Sequence, residues 1–200
     1  MPIIRKRMVV VLALALAGSL LVGSVVAAQR GESPPDAAKV EAAIAAARMT
    51  RVADVAGGEG FEPRGVFIQE LDTGDLCVWD AASASSPDRQ GGCNSIDEPL
   101  GGSAVSANLA YEGGPAIESV RDARLSGLAS SSAASVVVLM SDGSERAMRL
   151  KPVHLDAGDF AAFGYRFKKS DLRSGVGPIA VIARAAGGKE LGRQPTGIGG

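Results

Sequence analysis

A mainly β protein, an antiparallel β-sandwich entered through an N-terminal signal or anchor helix and one Ala-rich helix, is the fold class this sequence predicts. Three observations predict it. Beyond residue 65, short apolar runs are separated by turn dipeptides such as Thr73-Gly74, Asp142-Gly143 and Gly187-Gly188. Phe163, Tyr165 and Phe167 alternate with Gly164 and Arg166, a period of two that suits a strand and not a helix. Helical patterning is confined to the first part of the chain. Composition agrees: 46% of the 200 residues are apolar but only 4% aromatic, with 26 Gly and 10 Pro, so turns are many and bulky core side chains few.

In chain order, Arg5-Lys6-Arg7 precede an uncharged stretch, residues 8–28, rich in Val, Leu and Ala. Cations followed by an apolar block have the layout of a secretory signal, and Val26-Ala27-Ala28 offers small side chains for cleavage. The stretch is also long enough to span a bilayer as a helix. A cleaved signal peptide and a retained membrane anchor both stay open for residues 1–28. Either places the body outside the cytoplasm, because the Arg/Lys cluster stays on the cytoplasmic side. Residues 29–64 read as a helical stalk or linker. Ser33 caps, Pro34 suits the first helical position, and Val40, Ile44 and Ala47 give one narrow stripe through the Ala-rich segment 36–48. That pattern extends toward Val55, before Gly57-Gly58 end it.

Residues 65–115 read as a β-hairpin region. A two-residue tip at Thr73-Gly74 would set Ile68 against Trp79 and Glu70 against Cys77, and so put Val66, Ile68, Cys77 and Trp79 on one inner face. Cys77 and Cys93 are the two cysteines, sixteen residues apart; in an oxidising compartment they pair as a structural disulfide. Closing a loop of that size is worth about 3 kcal/mol. No C-x-x-C motif suggests a redox role. A weaker strand lies around 104–111, followed by residues 116–125 and by a Ser/Ala-rich segment, 126–135, read as a loop.

Residues 116–193 read as the sandwich, and 194–200 as a flexible tail. The apolar run 136–140 is expected to be covered on both faces. Asp142-Gly143 then turns the chain through two residues with positive φ into an alternating return strand, 145–150. Phe163, Tyr165 and Phe167 are expected to point into the core, and 179–183 forms a second buried strand. The run 136–140 with its Asp142-Gly143 hairpin, together with the closing strand before Gly187-Gly188-Lys189, resembles a bacterial immunoglobulin-like or fibronectin-III-like module over residues 120–193. It departs from antibody domains in that the cysteine pair lies outside this stretch. The whole layout resembles uncharacterised exported proteins of high-GC Gram-positive bacteria, a resemblance that implies export and carries no activity.

Chemistry is sparse. Without the first 28 residues the formal charge falls from −1 to −4, and no Lys/Arg stripe serves nucleic acid. One His and two Cys cannot supply a four-ligand His/Cys zinc site. The acids Asp72/Asp75, Asp80/Asp88, Asp97/Glu98 and Asp156/Asp159 lack the spacing of a calcium loop and are explained by turn chemistry. Aromatic platforms for sugar are scarce. His154 is the lone His, with Asp156 and Asp159 nearby and Ser141 and Ser144 on a possible neighbouring strand, but no nucleophile signature surrounds a serine. The reading is a non-enzymatic extracytoplasmic protein of the cell envelope, secreted or anchored through residues 8–28. It binds an envelope protein or polymer, or serves as a structural module, without cofactor, metal or nucleic acid. The alternatives are a small secreted hydrolase using His154, Asp156 and Asp159, and an anchored sensor needing a membrane partner. The loops 78–92 and 126–135 are the expected contact surfaces.

Overall fold

The computed structural model describes residues 49–114, 116–172 and 176–197. The apolar stretch 8–28, the Ala-rich segment 36–48 and the last three residues of the tail lie outside the described residues. Among the described residues no helix is long and apolar enough to cross a membrane. Twelve strands, every pairing antiparallel, form three four-stranded sheets among the described residues. Sheet I is a meander of β1 (Met49–Val55), β2 (Arg64–Glu70), β3 (Asp75–Ala81) and β4 (Gln90–Ser95). Sheet II places β5 (Val105–Gly113) beside β6 (Val120–Ser130), then β10 (Gly158–Arg166), then β9 (Leu150–Leu155). Sheet III runs from β12 (Glu190–Pro195) through β11 (Pro178–Arg184) and β7 (Ser135–Met140) to β8 (Glu145–Met148).

Sheet II is the middle layer. On β6, Ala123, Leu125 and Ala129 join Phe163 and Phe167 in one core with Val136, Val138, Met140 and Val181 of sheet III. Leu128, with Phe160 and Ala162 of β10, joins Val55, Val66, Ile68, Leu76 and Val78 of sheet I in a second core. A strand covered on both faces has no polar side to show, and β6 is buried nearly throughout. Small residues make the layers fit. Phe163 lies opposite Gly127 in the ladder, and a Cβ on Gly127 would sit 2.6 Å from the Phe163 ring and 2.2 Å from the Ser106 carbonyl oxygen. Phe163, Tyr165 and Phe167 point into the core between sheets II and III, as the alternation predicts. At the open side of that sandwich the Gln194 carboxamide of β12 accepts from the Ala107 N–H of β5 at 2.6 Å and donates to its carbonyl at 2.9 Å. The side chain thereby satisfies one edge position of β5.

Several local expectations change. Residues 49–55 are strand β1 and not the end of a helix. A bulge between Arg51 and Ala53 turns both Val52 and Ala53 inward onto the second core, so β structure begins before residue 65. The β2–β3 turn uses three residues, 72–74, and not two. Leu71 N–H bonds to the Asp75 carbonyl at 2.8 Å, with Gly74 at φ 84°. The extra residue shifts the register by one: Gln69 faces Cys77, Phe67 faces Trp79, and Ile68 faces Val78. Cys77 and Trp79 therefore lie on the face away from Val66 and Ile68. The Asp142-Gly143 turn is of the same kind, with Met140 N–H to Ser144 carbonyl at 2.9 Å and positive φ at Gly143 alone. The run 145–150 is not one strand, because β8 ends in sheet III and β9 begins in sheet II. Within the segment 116–125, residues Ile117–Ser119 form a 3-10 turn before β6 starts. The Ser/Ala-rich segment 126–135 is a loop only in its middle, since Ser126 to Ser130 complete β6. β5 pairs with β6, so the change from sheet I to sheet II falls between β4 and β5 and not at residue 116. Within the second buried strand, Ile179 is exposed.

Candidate functional site

Strand alternation places charges as well as apolar groups inside. Asp122 and Arg124 share the face of Leu128 on β6, and Asp80 shares the face of Val78 on β3. Where sheets I and II meet, these side chains form an alternating ladder. The Arg64 Nε donates to Asp80 at 2.6 Å, and its Nη1 to Asp88 at 2.8 Å. The other Asp80 oxygen accepts from Arg124 Nε at 2.7 Å. Arg124 also donates to Asp122 and, at 3.3 Å, to Glu112. Arg166 Nε stands 3.0 Å from the second Asp122 oxygen. Side-chain exposure is 1% at Asp80 and 2% at Arg124 and Asp122, against 59% at Asp88 and 43% at Glu112. The rim acids thus offset the surplus of buried guanidinium. Burial pulls the Arg64 pKa down, but its hydrogen bonds to Asp88 and Asp80 outweigh burial and hold it above its ordinary value. Arg124 is raised in the same way, burial opposing and Asp80 and Asp122 prevailing.

The ladder ends at a cleft. Arg166 donates to the Ala56 carbonyl at 2.7 Å and the Glu62 carbonyl at 3.0 Å, so it pins both feet of the β1–β2 connection. Its guanidinium carbon lies 5.7 Å from the centroid of the Phe61 ring. Gly58 and Phe61 exchange two backbone hydrogen bonds at 3.0 Å, with Gly60 at φ 79° supplying the left-handed position of the tip. A Cβ on Gly58 would sit 3.0 Å from the Arg166 stem, so glycine lets the turn lie flat on it. Between this turn and the ends of β6 and β10 are two hollows, of about 330 and 560 Å³, which share Phe61, Phe167, Arg121 and Lys169 as walls. The smaller also takes in Arg166 and Lys168. Lys169 pairs with Glu59 at 3.1 Å. Among the lining residues there is no His, Cys or Ser, and the cations that line the smaller hollow can recognise negative charge.

Elsewhere, Cys77 and Cys93 face each other across β3 and β4 and are disulfide-bonded, Cys77 fully buried and Cys93 exposed. The bond ties edge strand β4, with Gly91 and Gly92, to the sheet. Beside it on the outer face, Arg89 lies over Trp79, its guanidinium carbon 5.2 Å from the ring centroid. His154 and Asp159 lie opposite each other on β9 and β10 and meet at 2.7 Å, His154 83% and Asp159 66% exposed. Asp156 is in the turn between them and shares with His154 a separate hollow beside Thr50 and Glu70. No serine among the described residues hydrogen-bonds the His154 ring. Ser141 Oγ accepts from the Gly177 N–H at 3.2 Å and Ser144 Oγ donates to Asp142 at 2.5 Å, both at the far sheet III hairpin. Asp80 and Asp88, paired as loop acids in the sequence, are engaged by Arg64. Among the described residues no group of three His, Cys, Asp or Glu side chains could hold a metal ion.

Sequence reasoning missed the ladder and the cleft. The signal was Asp122-x-Arg124, two opposite charges at inward positions of a strand, but the register that brings Asp80 to Arg124 cannot be read from either strand alone. Comparison of the chain with protein-family models, curated proteins and solved structures finds no match.

Proposed function

We propose that the chain is an extracytoplasmic cell-envelope protein that acts by binding, without catalysis. The observation that supports the extracytoplasmic location is the Cys77–Cys93 bond, since such cross-links persist in oxidising compartments and are rare in the cytosol. The export layout of residues 1–28 agrees with it. The strand order supports an immunoglobulin-like build for the two sheets that follow sheet I. If β5 to β12 are taken in order as A, B, C, C′, D, E, F and G, they fall into sheets A-B-E-D and G-F-C-C′. β6 and β11 carry no cysteine and β7 no tryptophan, so the antibody hallmarks are missing and sheet I is an added layer. Such folds present loops and clefts to partners and host many functions, so the binding reading rests on the Arg166 cleft and not on the fold. The hydrolase reading would need a nucleophile at the His154–Asp159 pair, and none is hydrogen-bonded there among the described residues.

Mass spectrometry of the protein from cell fractions, with and without reductant, tests the reading. The expected result is protein in the envelope or medium that gains two hydrogens on reduction. Cytosolic protein with both thiols open to alkylation would overturn it.

A further inference from the structure

We propose that the smaller hollow beside Arg166 is a binding site for a phosphate group, with Arg121 and Lys168 as its principal ligands. This rests on the binding reading above and names the chemistry of the partner.

Four cations, Arg121, Arg166, Lys168 and Lys169, line that hollow against two acids, Glu59 and Asp122. Asp122 is taken up by Arg166 and Arg124, and Glu59 by Lys169. Arg121 and the Lys168 ammonium make no ion pair or side-chain hydrogen bond with any described residue. Both are exposed, so two uncompensated cations face one concavity on a body whose net charge without residues 1–28 is −4. Glu118 lines only the larger hollow, so the positive excess belongs to the smaller one.

The frame is rigid. Arg166 is bound on one side to Asp122 and on the other to two carbonyls of the β1–β2 connection. Phe167 behind it is buried in the core between sheets II and III. Positions fixed in this way lower the entropy lost on binding. A volume of about 330 Å³ lies within the range of small-ligand pockets and holds a phosphate with a short substituent. The Phe61 and Phe167 walls give that substituent apolar contact. A guanidinium matches two oxygens of a phosphate at once, and a lysine adds a point charge on a third. A phosphate monoester or anhydride in solution and a phosphodiester of a lipid headgroup or polymer share this chemistry.

The test uses the full chain, titrated in one arm with inorganic pyrophosphate and in the other with glycerophosphoglycerol, a water-soluble phosphodiester. Binding is followed by calorimetry and by amide shifts. The proposal expects a saturable response centred on Phe61, Arg121, Phe167 and Lys168 in at least one arm, and the stronger arm identifies the source. Arg121→Gln with Lys168→Gln should weaken that binding tenfold or more. Lys151→Gln with Lys189→Gln, which removes the same charge elsewhere on the surface, should leave it within twofold. Shifts spread over all surface lysines, equal effects of the two double variants, or an equal response to sulfate would overturn the site. Envelope location with no saturable binding would sink this inference alone. Cytosolic protein that binds pyrophosphate would sink the proposed function and leave the site standing.

Discussion

The two faces of sheet II are made from alternate residues of the same strands, yet they hold their neighbours by different means. Toward sheet III the contact is apolar: Leu125, Phe163 and Phe167 meet Val136, Val138, Met140 and Val181. Its main polar tie is a clasp at the rim, where Asp171 accepts from Arg146 Nε at 2.7 Å, from the Lys168 N–H at 2.9 Å and from the Tyr165 hydroxyl at 3.0 Å. Toward sheet I the contact is apolar at one end, around Leu128 and Phe160, and ionic at the other, along Arg64, Asp80, Arg124, Asp122 and Arg166. Apolar burial is non-directional and accepts many arrangements. A buried charge must meet its counter-charge or leave a desolvated ion behind. The ionic end therefore admits one placement of sheet I on sheet II, and it fixes the walls of the cleft in the same act.

The largest expected effect breaks the ionic face. Asp80→Ala leaves Arg64 and Arg124 each short of a carboxylate and should lower unfolding free energy by about 3–5 kcal/mol in urea titrations. Replacing the trio together, Arg64→Met with Asp80→Leu and Arg124→Met, should recover most of that loss, because no unpaired ion remains. Failure to recover would mean that the ladder contributes more than charge matching. On the apolar face Phe163→Ala should cost a comparable ~3–5 kcal/mol. Only refilling the void would restore it, so the two faces differ in how they can be repaired. Gly127→Ala should destabilise by about 1–3 kcal/mol, since the new methyl meets backbone and the Phe163 ring in the middle layer. Its effect should shrink when combined with Phe163→Leu, which a double-mutant cycle would read.

The clasp at Asp171 gives the smallest effect and one that depends on pH. Burial pushes its carboxyl pKa up, but the Arg146, Lys168 and Tyr165 donors outweigh burial and leave it below the ordinary aspartate value. Tyr165 is pushed up to about 12, first by burial and then by the Asp171 charge and hydrogen bond. A depressed carboxylate contributes stability that is fully present above its unfolded value, about 3.9, and is lost as pH falls through the folded value. The gap in urea midpoint between the native chain and Asp171→Asn should thus hold from neutral pH to about pH 5 and close below about pH 4. A gap that persisted undiminished at the lowest pH would show that the clasp acts through packing and not through charge.

Period-two alternation around Phe163 and the turn glycines could be read from neighbouring residues, because each depends on local geometry, and the cysteine pair from the count of two thiols alone. Alternation gave the inward aromatic stripe correctly. The turns were visible, but their length was not. Three residues between Leu71 and Asp75, where two were expected, reversed the face on which Cys77 and Trp79 lie. The segment after Leu125 misled for a different reason. Its Ser, Gly and Ala suggest a solvated loop, but a strand pressed between two sheets needs small residues for the opposite cause, lack of room.

Composition and periodicity by themselves determined that this chain is β-rich, antiparallel, poor in aromatic filling and able to carry one sulfur bridge. Those properties follow from backbone preferences and from which side chains avoid water, and both act over a few residues. The stacking of three layers, the meeting of Asp80 with Arg124 and the cleft beside Arg166 were decided only by tertiary structure. Each depends on the register between strands up to 110 residues apart, as in the Arg166 bond to Ala56. A one-residue slip between β2 and β3 would carry Asp80 to the other face of sheet I and dissolve the site.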